Sequence, residues 1–200
     1  MKKKIAILGS TGSIGKTLIN IIKKDKKKYE IILLTSNTNY IELLKQVSLF
    51  NVKNIIISDP KTFLHVKKIL KDREINVYNK FNCFNKIFNK SKIDYSMCSI
   101  SGFEGLSPTL DIIRYSKKIA IANKESIICG WELIKKNLKK FKSEFIPVDS
   151  EHFSIWSLMN GIKSDYIEKV FITASGGPFK DLPIKDFKLI TTKQALKHPT

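Results

Sequence analysis

Short apolar runs, often β-branched, alternate along this chain with longer stretches in which apolar residues recur every three or four positions. Runs of the first kind are typical of buried strands, and stretches of the second kind are typical of helices with one apolar face. Strands are predicted at Lys4–Leu8, Glu30–Thr35, Asn54–Ser58, Ile75–Tyr78, Tyr95–Ser99, Ile119–Ala122 and Glu144–Val148. Helices are predicted at Ser13–Lys24, Tyr40–Phe50, Pro60–Leu70, Ser107–Ser116 and Ser126–Phe141, while residues 79–92 are ambiguous.

The alternation of strand and helix predicts an α/β fold, a Rossmann-like parallel sheet with helices on both faces, over residues 1–150. The pattern changes after about Glu151. A longer apolar run at Tyr166–Ala174 predicts a strand, and Ser175-Gly176-Gly177-Pro178 predicts a turn after it. Residues 151–200 are therefore expected to begin a second domain of α+β type.

The formal net charge of +18 raises the question of nucleic-acid binding. Only Arg73 and Arg114 are arginines, so nearly all of the positive charge comes from lysine, which lacks the planar fork that suits phosphates and bases. The densest run, residues 23–28, falls where a helix is predicted to end, and cations there complement the helix dipole. We expect no nucleic-acid partner, and keep a lysine-rich nucleic-acid-binding domain as an alternative.

No apolar run is long enough to span a bilayer, and a strand pattern begins at Lys4, which leaves no room for a signal peptide. The three cysteines, Cys83, Cys98 and Cys129, are widely spaced and form neither a disulfide framework nor a CxxC metal motif. We expect no membrane association and a reduced, cytoplasmic location.

A glycine-rich turn, Gly9-Ser10-Thr11-Gly12-Ser13-Ile14-Gly15, follows the first predicted strand and opens the first predicted helix. Glycines in this context let the backbone approach a pyrophosphate, which the helix N-terminus attracts. The spacing is GxxGxxG, which several reductase families share. Since no acid follows the second strand, where NAD-binding folds usually have one for the adenosine ribose, NADP is favoured over NAD.

Two further strand ends have polar residues. Asn123-Lys124-Glu125-Ser126 follows the sixth strand, and helix capping by Asn123 would account for every residue except Lys124, whose charge is unfavourable at a helix N-terminus. Lys124 therefore needs another partner, and a substrate phosphate, a carbonyl or a site carboxylate would serve.

Pro147-Val148-Asp149-Ser150-Glu151-His152 follows the seventh strand. If the extended backbone continues past Val148, Asp149 and Glu151 point to one side, and two such carboxylates would bind Mg2+ or Mn2+. The alternative is a helix start, in which Asp149 or Ser150 caps a helix over residues 153–159. His65 and His152 are interpreted as structural.

Five motifs together resemble the 1-deoxy-D-xylulose 5-phosphate reductoisomerase family: GSTGSIG at 9–15, ANKES at 122–126, PVDSEH at 147–152, SGGPF at 175–179 and Lys197-His198-Pro199. They occur in the family's order and at compatible spacing. The resemblance implies NADPH- and metal-dependent isomerisation and reduction of 1-deoxy-D-xylulose 5-phosphate to 2-C-methyl-D-erythritol 4-phosphate in the non-mevalonate isoprenoid pathway. It also implies a phosphorylated ketose as substrate and Mg2+, Mn2+ or Co2+ as the metal.

The resemblance assigns roles to individual residues. NADPH-binding positions map to Thr11, Gly12, Ser13, Ile14, Asn37, Thr38, Asn39, Asn123 and Glu125. Metal ligands map to Asp149 and Glu151, and substrate-binding positions map to Lys124, Ser150, Glu151, Ser175 and His198. Lys124, Asp149 and Glu151 are the expected catalytic residues. The family often has a basic residue where this chain has Thr38, so the contact with the 2′-phosphate is expected to be weaker or to be supplied by another lysine.

By the same resemblance, residues 1–150 would be the NADPH-binding domain, and residues 151–200 would begin the catalytic domain. The chain would be the N-terminal portion of an enzyme that is homodimeric at full length, and we expect these 200 residues alone to be inactive. The third metal ligand and the loop over the site would follow Thr200. A semialdehyde-dehydrogenase-type reductase is the enzymatic alternative, but Cys98 and Cys129 do not suit a reactive thiolate at a helix start.

Overall fold

The computed structural model describes residues 1–89, 91–171 and 177–196. In this part of the chain the strands are β1 Lys3–Leu8, β2 Tyr29–Ser36, β3 Asn54–Ile57, β4 Asn76–Tyr78, β5 Ile93–Cys98, β6 Ser116–Ile121 and β7 Glu144–Pro147. The helices are α1 Ser13–Lys24, α2 Tyr40–Phe50, α3 Pro60–Ile69, α4 Phe84–Phe88, α5 Leu106–Ile113, α6 Lys124–Phe141, α7 Ser150–Met159 and α8 Thr192–Ala195.

The strands form one parallel sheet in the order β4-β3-β2-β1-β5-β6-β7. The chain builds outward from β1 to β4, crosses back to place β5 on the other side of β1, and then builds outward to β7. This is a Rossmann-like arrangement, which confirms the predicted fold class. The strand order reverses between β1 and β5, the place where open parallel sheets form their binding crevice.

Both faces of the sheet are buried, because helices cover each of them. Along β1, Ile5 and Ile7 pack in one apolar cluster, whereas Ala6 and Leu8 pack in another. Continuous burial explains why the predicted strands are apolar runs and not alternating patterns. All seven strands predicted within residues 1–148 are confirmed, with ends that differ by at most three residues.

Two segments differ from the expectation. The ambiguous residues 79–92 contain a short 3-10 turn, Phe81–Cys83, followed by α4. The predicted strand Tyr166–Ala174 is wrong over its described residues 166–171, where a 3-10 turn, Ser164–Tyr166, is followed by irregular chain. Val170 and Phe171 in this run are exposed, so their apolar character does not report a buried strand.

The chain divides into two compact units, residues 1–153 and 154–200. The first contains the sheet. The described part of the second contains the end of α7, short 3-10 turns, and α8, which begins with a capping box between Thr191 and Gln194. The assignment of separate roles to residues 1–150 and 151–200 stays a prediction. Among the described helices, none combines the length and the apolar character needed to cross a membrane.

The register of the central strands aligns their carboxyl ends. Leu8 of β1 pairs with Cys98 of β5, Cys98 with Ile121 of β6, and Ile121 with Pro147 of β7. The residues that follow these four positions therefore leave the sheet at one edge. This edge therefore collects the predicted site residues that follow β1, β6 and β7.

Gly15 is required by the packing of the turn after β1. A Cβ atom at Gly15 would lie 2.6 Å from the Cα of Ser10 and even closer to the carbonyl oxygen of Gly9, whereas a Cβ at Gly12 would meet only the Gly9 oxygen, at 3.5 Å. We predict that Gly15→Ala lowers the free energy of unfolding by about 1–3 kcal/mol, the typical cost of overpacking. Gly12→Ala, at the N-cap of α1, is the matched control and should cost less than about 1 kcal/mol. Equal losses in chemical denaturation would contradict this difference.

Candidate functional site

The glycine-rich turn after β1 is held against the end of β2. The N–H of Gly9 donates to the hydroxyl of Thr35 at 2.8 Å, and the N–H of Ser10 donates to the carbonyl oxygen of Thr35 at 2.9 Å. The hydroxyls of Thr11 and Ser36 are 2.9 Å apart. Gly9 has a φ of +80°, a conformation that favours glycine. These contacts fix the path by which the chain enters α1.

A cleft of about 280 Å³ lies between this turn and the ends of the neighbouring strands. Of the predicted cofactor-binding residues, Thr11, Gly12 and Asn37 line it. Its other lining residues are Gly9, Thr35, Ser36, Ser58, Phe81, Ser99, Ile100, Ser101 and Glu104. Larger clefts of about 690, 700, 350 and 320 Å³ lie elsewhere and contain none of the predicted site residues. We take the smaller cleft as the candidate site because it lies where the strand order reverses.

Gly12 leaves the start of α1 open. Its backbone, with φ −76° and ψ 174°, is one that any residue can adopt. A side chain at this position would meet no protein atom closer than 3.5 Å. The protein's own packing therefore does not demand a glycine at residue 12, and the open space suits a ligand that approaches the N–H groups of α1.

The other predicted cofactor positions are not brought into the cleft lining. Ser13 and Ile14 lie in the first turn of α1, and Thr38 and Asn39 lie in the connection from β2 to α2. The side chain of Asn39 caps α2 by accepting a hydrogen bond from the N–H of Glu42 at 3.3 Å. Their contacts with a cofactor stay predictions. No acidic residue follows β2 before α2. The side chain of Asn37 there accepts a hydrogen bond from the Ser58 hydroxyl at 3.2 Å.

Asn123 caps α6, as the helix-capping interpretation expects. Its side-chain oxygen accepts from the N–H of Ser126 at 2.5 Å, while its amide nitrogen donates to the carbonyl oxygens of Ile100 and, at 2.7 Å, Gly102. Asn123 is 4% exposed, whereas Lys124 and Glu125 in the first turn of α6 are exposed. Lys124 is thus presented to solvent at the N-terminus of α6.

The backbone at Asp149 is not part of a continued strand, which was the condition for Asp149 and Glu151 to point to one side. β7 ends at Pro147 and α7 begins at Ser150, so Asp149 and Glu151 are not alternate residues of a strand. Asp149 caps α7: its Oδ1 accepts from the N–H of His152 at 3.0 Å, and its carbonyl oxygen accepts from the N–H of Phe153 at 2.9 Å. The helix-start alternative is therefore the one found, with the helix beginning three residues earlier than expected.

Each carboxylate makes further hydrogen bonds, and the side chain of Asp149 is only 7% exposed. Oδ1 of Asp149 also lies 2.6 Å from Nδ1 of His152, so one oxygen makes both contacts. The hydroxyl of Ser150 donates to Oε2 of Glu151 at 2.9 Å. His152, interpreted from sequence as structural, is found here as a hydrogen-bond partner of the predicted metal ligand.

Lys124 acts electrostatically on both carboxylates. Burial by itself would raise the pKa of Asp149, but the hydrogen bonds from His152 and the charges of His152 and Lys124 outweigh it and hold that pKa below its usual value. The hydrogen bonds from its own N–H and from Ser150 lower the pKa of Glu151, and the charge of Lys124 contributes to the same shift, although Asp149 opposes it. Both carboxylates are therefore ionised at neutral pH.

This pair can supply two oxygen ligands to a hard divalent cation. Within residues 1–89, 91–171 and 177–196, no group of three or more His, Cys, Asp or Glu side chains is placed to hold a metal ion. The predicted substrate-binding residues Ser175 and His198 lie outside the described residues. What the structure brings to one edge is thus the glycine turn, Asn123, Lys124, Asp149 and Glu151.

Sequence reasoning missed six residues that line the cleft. Ser58, Ser99, Ile100 and Ser101 follow β3 and β5 at the same edge as the glycine turn, so the strand predictions contained a signal for them. Phe81 and Glu104 lie in short 3-10 turns between strands and helices. No periodic pattern or motif marks those two positions.

The electrostatic coupling leads to a direct test. We predict that Lys124→Met raises the pKa of both Asp149 and Glu151, because a nearby positive charge stabilises the ionised carboxylate. The pKa values are measured by NMR titration of the carboxyl carbons. Lys136→Met, with its charge in the middle of the same helix, is the control and should leave both values in place. Unchanged pKa values in the Lys124 variant would show that its charge does not reach the pair.

Two family models match this chain. The model for 1-deoxy-D-xylulose 5-phosphate reductoisomerase matches residues 5–130, and the model for the C-terminal domain of the same enzyme matches residues 145–200. The reductoisomerase of Pelagibacter ubique (strain HTCC1062) is 63% identical over 198 residues, which cover 98% of this chain and 51% of that protein. That of Clostridium novyi (strain NT) is 37% identical over 199 residues, covering 98% and 52%.

Solved structures agree. The Zymomonas mobilis reductoisomerase in complex with NADPH superposes with a TM-score of 0.83 at 30% identity, over 100% of this chain and 52% of that chain. A reductoisomerase in complex with NADPH, fosmidomycin and magnesium superposes with a TM-score of 0.77 at 31% identity, over 98% and 51%. The chain spans about half the length of the relatives it matches. Both family models and the motifs at the sheet edge lead to one conclusion: the chain belongs to the 1-deoxy-D-xylulose 5-phosphate reductoisomerase family.

Proposed function

We propose that this chain provides the NADPH-binding domain and the first metal ligands of a 1-deoxy-D-xylulose 5-phosphate reductoisomerase. The reaction rearranges and then reduces 1-deoxy-D-xylulose 5-phosphate to 2-C-methyl-D-erythritol 4-phosphate, in the non-mevalonate isoprenoid pathway. The observation that carries the proposal is the register of the sheet. It brings the glycine-rich turn after β1, Lys124 at the start of α6, and Asp149 and Glu151 after β7 to one edge.

The cleft beside the glycine turn fits a dinucleotide. Gly12 lines it and leaves room for a phosphate above the start of α1, where free N–H groups and the helix dipole favour negative charge. Thr11, Gly12, Ser13 and Ile14 would hold the pyrophosphate. Asn37, Thr38 and Asn39 would lie at the adenosine end, and Asn123 and Glu125 beside the nicotinamide. The absence of an acid at the end of β2 supports NADPH over NADH, because a carboxylate there would repel the 2′-phosphate.

The carboxylate pair fits a hard divalent cation such as Mg2+, Mn2+ or Co2+. Asp149 and Glu151 would contribute oxygen ligands in the ionised state that their lowered pKa values maintain. Capping of α7 fixes the orientation of Asp149, so this ligand is held in place by the backbone of residues 152 and 153. When bound, the cation supplies Lewis-acid stabilisation and NADPH supplies hydride.

The remaining chemistry belongs to residues of the chain. Both the rearrangement and the reduction develop negative charge on substrate oxygens, and Lys124 places a positive charge beside the carboxylate pair where those oxygens would bind. Ser150 can donate a hydrogen bond to the substrate if its hydroxyl turns away from Glu151, and Glu151 would contact the substrate as well as the metal. Ser175 and His198 complete the proposed set of substrate contacts.

The proposal also includes a cytoplasmic location and a homodimer of the full-length enzyme, without nucleic-acid or membrane partners. The three cysteines, Cys83, Cys98 and Cys129, are all free thiols, which supports a reducing compartment. The substrate is a phosphorylated ketose. The 200 residues by themselves are proposed to be inactive.

Replacement of the carboxylates tests the proposed chemistry. In the chain at its natural full length, Asp149→Asn and Glu151→Gln preserve size but remove the charge that binds the cation. We expect each variant to lose about 99% or more of turnover, as for removal of one strong electrostatic contact, while NADPH affinity changes by less than about threefold. The assay follows NADPH oxidation with 1-deoxy-D-xylulose 5-phosphate at limiting Mn2+.

The control for this experiment is Asp59→Asn, which preserves a capping side chain at the start of α3, where Asp59 accepts from the N–H of Thr62 at 2.7 Å. Asp59→Asn should retain normal turnover. Wild-type turnover in either the Asp149 or the Glu151 variant at limiting Mn2+ would show that the residue is not a metal ligand and only stabilises the start of α7. Absence of turnover in the unsubstituted protein would reject the proposed function itself.

A further inference from the structure

Asn123 joins two parts of the site through its side chain. The segment after β5, residues 99–105, is called here the post-β5 loop; Ser99, Ile100, Ser101 and Glu104 of this loop line the cleft. The amide nitrogen of Asn123 donates to two carbonyl oxygens of the loop, those of Ile100 and Gly102. Its oxygen accepts from the N–H of Ser126 in α6. A single buried side chain therefore connects one wall of the cleft to the helix that begins with Lys124.

The hydrogen-bonding capacity of this side chain is nearly exhausted. A primary amide has two N–H donors and one oxygen with two lone pairs. Both donors are used by the loop, and one lone pair is used by α6. Because Asn123 is only 4% exposed, a direct contact with a ligand is left to its backbone or to the second lone pair of its oxygen.

Gly105 supplies a second observation. Its backbone, with φ −72° and ψ −19°, is right-handed and open to any residue. A Cβ atom at this position would nevertheless lie 2.6 Å from the Asn123 amide nitrogen and 2.6 Å from the Ile100 oxygen. The absence of a side chain at residue 105 is thus required by the link between Asn123 and the loop, and not by the local backbone.

We infer that Asn123 is a positioning residue, which holds the start of α6, and with it Lys124, in register with the post-β5 loop. Lys124 immediately follows Asn123 and is the first residue of α6. Asn123 would then contribute to turnover through the placement of Lys124 against the cofactor cleft. The inference rests on the proposed function, since turnover is its readout.

The test separates capping from positioning. Asn123→Asp retains an oxygen for the Ser126 N–H, but the second oxygen faces two carbonyl oxygens, to which it cannot donate. We expect its kcat to fall by about tenfold to a hundredfold, as for a small misplacement of a catalytic group, with KM for NADPH changed less than about threefold.

Gly105→Ala, with Asn123 intact, should show the same pattern. Asn123→Ser, which keeps a capping hydroxyl but lacks the amide donors, serves if Asn123→Asp does not fold.

Two further measurements decide the interpretation. In a Lys124→Met background, Asn123→Asp should lower kcat by less than about twofold, because its effect acts through Lys124. Asp59→Ala, which removes the cap of α3, is the control for simple loss of a helix cap and should lower the thermal midpoint without changing kcat.

Three results would overturn the inference: normal kcat in folded Asn123→Asp, normal kcat in Gly105→Ala, or full additivity with Lys124→Met. A loss confined to NADPH affinity, with kcat unchanged, would leave Asn123 only its proposed place beside the nicotinamide, which also overturns the inference. Failure of the proposed function is distinct, because it would appear as absence of turnover in the protein without substitutions.

Discussion

The site depends on the parallel register of β1, β5, β6 and β7. Leu8, Cys98, Ile121 and Pro147 lie in one row across these strands, so the chain leaves the sheet at one edge four times. Backbone hydrogen bonds extend the alignment past the strands, from the N–H of Ser99 to Leu8 and from the N–H of Ala122 to Cys98, both at 2.9 Å. A shift of one strand by one residue would bury its polar end residues and expose its apolar ones. Burial of both sheet faces therefore fixes the positions of the functional side chains.

The same edge collects the N-termini of helices, and this determines its electrostatics. α1, α6 and α7 all begin within a few residues of a strand end. Helix N-termini favour anions, which suits a cofactor phosphate at α1 and the carboxylate of Asp149 at α7. Lys124 at the start of α6 is the exception, because a cation is unfavourable at a helix N-terminus. The catalytic role proposed for Lys124 would account for this cost to the helix, since such local conflicts are common at functional sites.

The sequence predicted the sheet well, because buried parallel strands are apolar runs separated by helical periodicity. The glycine turn was also predictable. Gly9 and Gly15 are required by the local backbone conformation and packing, and their spacing in the sequence is typical of such turns. The geometry at Asp149 was not predictable, because Pro147 and Val148 are compatible with a strand that continues. Only the start of α7 shows that Asp149 and Glu151 are not alternate residues of a strand. Phe81 and Glu104 were missed because the short turns that present them have no periodic pattern. The exposed apolar residues Val170 and Phe171 produced a false strand, since a short apolar run does not reveal whether it is buried.

We propose that Lys124 serves catalysis and not folding, and Lys124→Met in the chain at its natural full length distinguishes these two roles. We expect a loss of about 2–4 kcal/mol in transition-state stabilisation, calculated from kcat/KM, as for other preorganised electrostatic contacts. The free energy of unfolding should change by less than about 1 kcal/mol, or rise slightly, because a cation is unfavourable at a helix N-terminus. A large loss of stability, with turnover per folded molecule unchanged, would instead make Lys124 a structural residue.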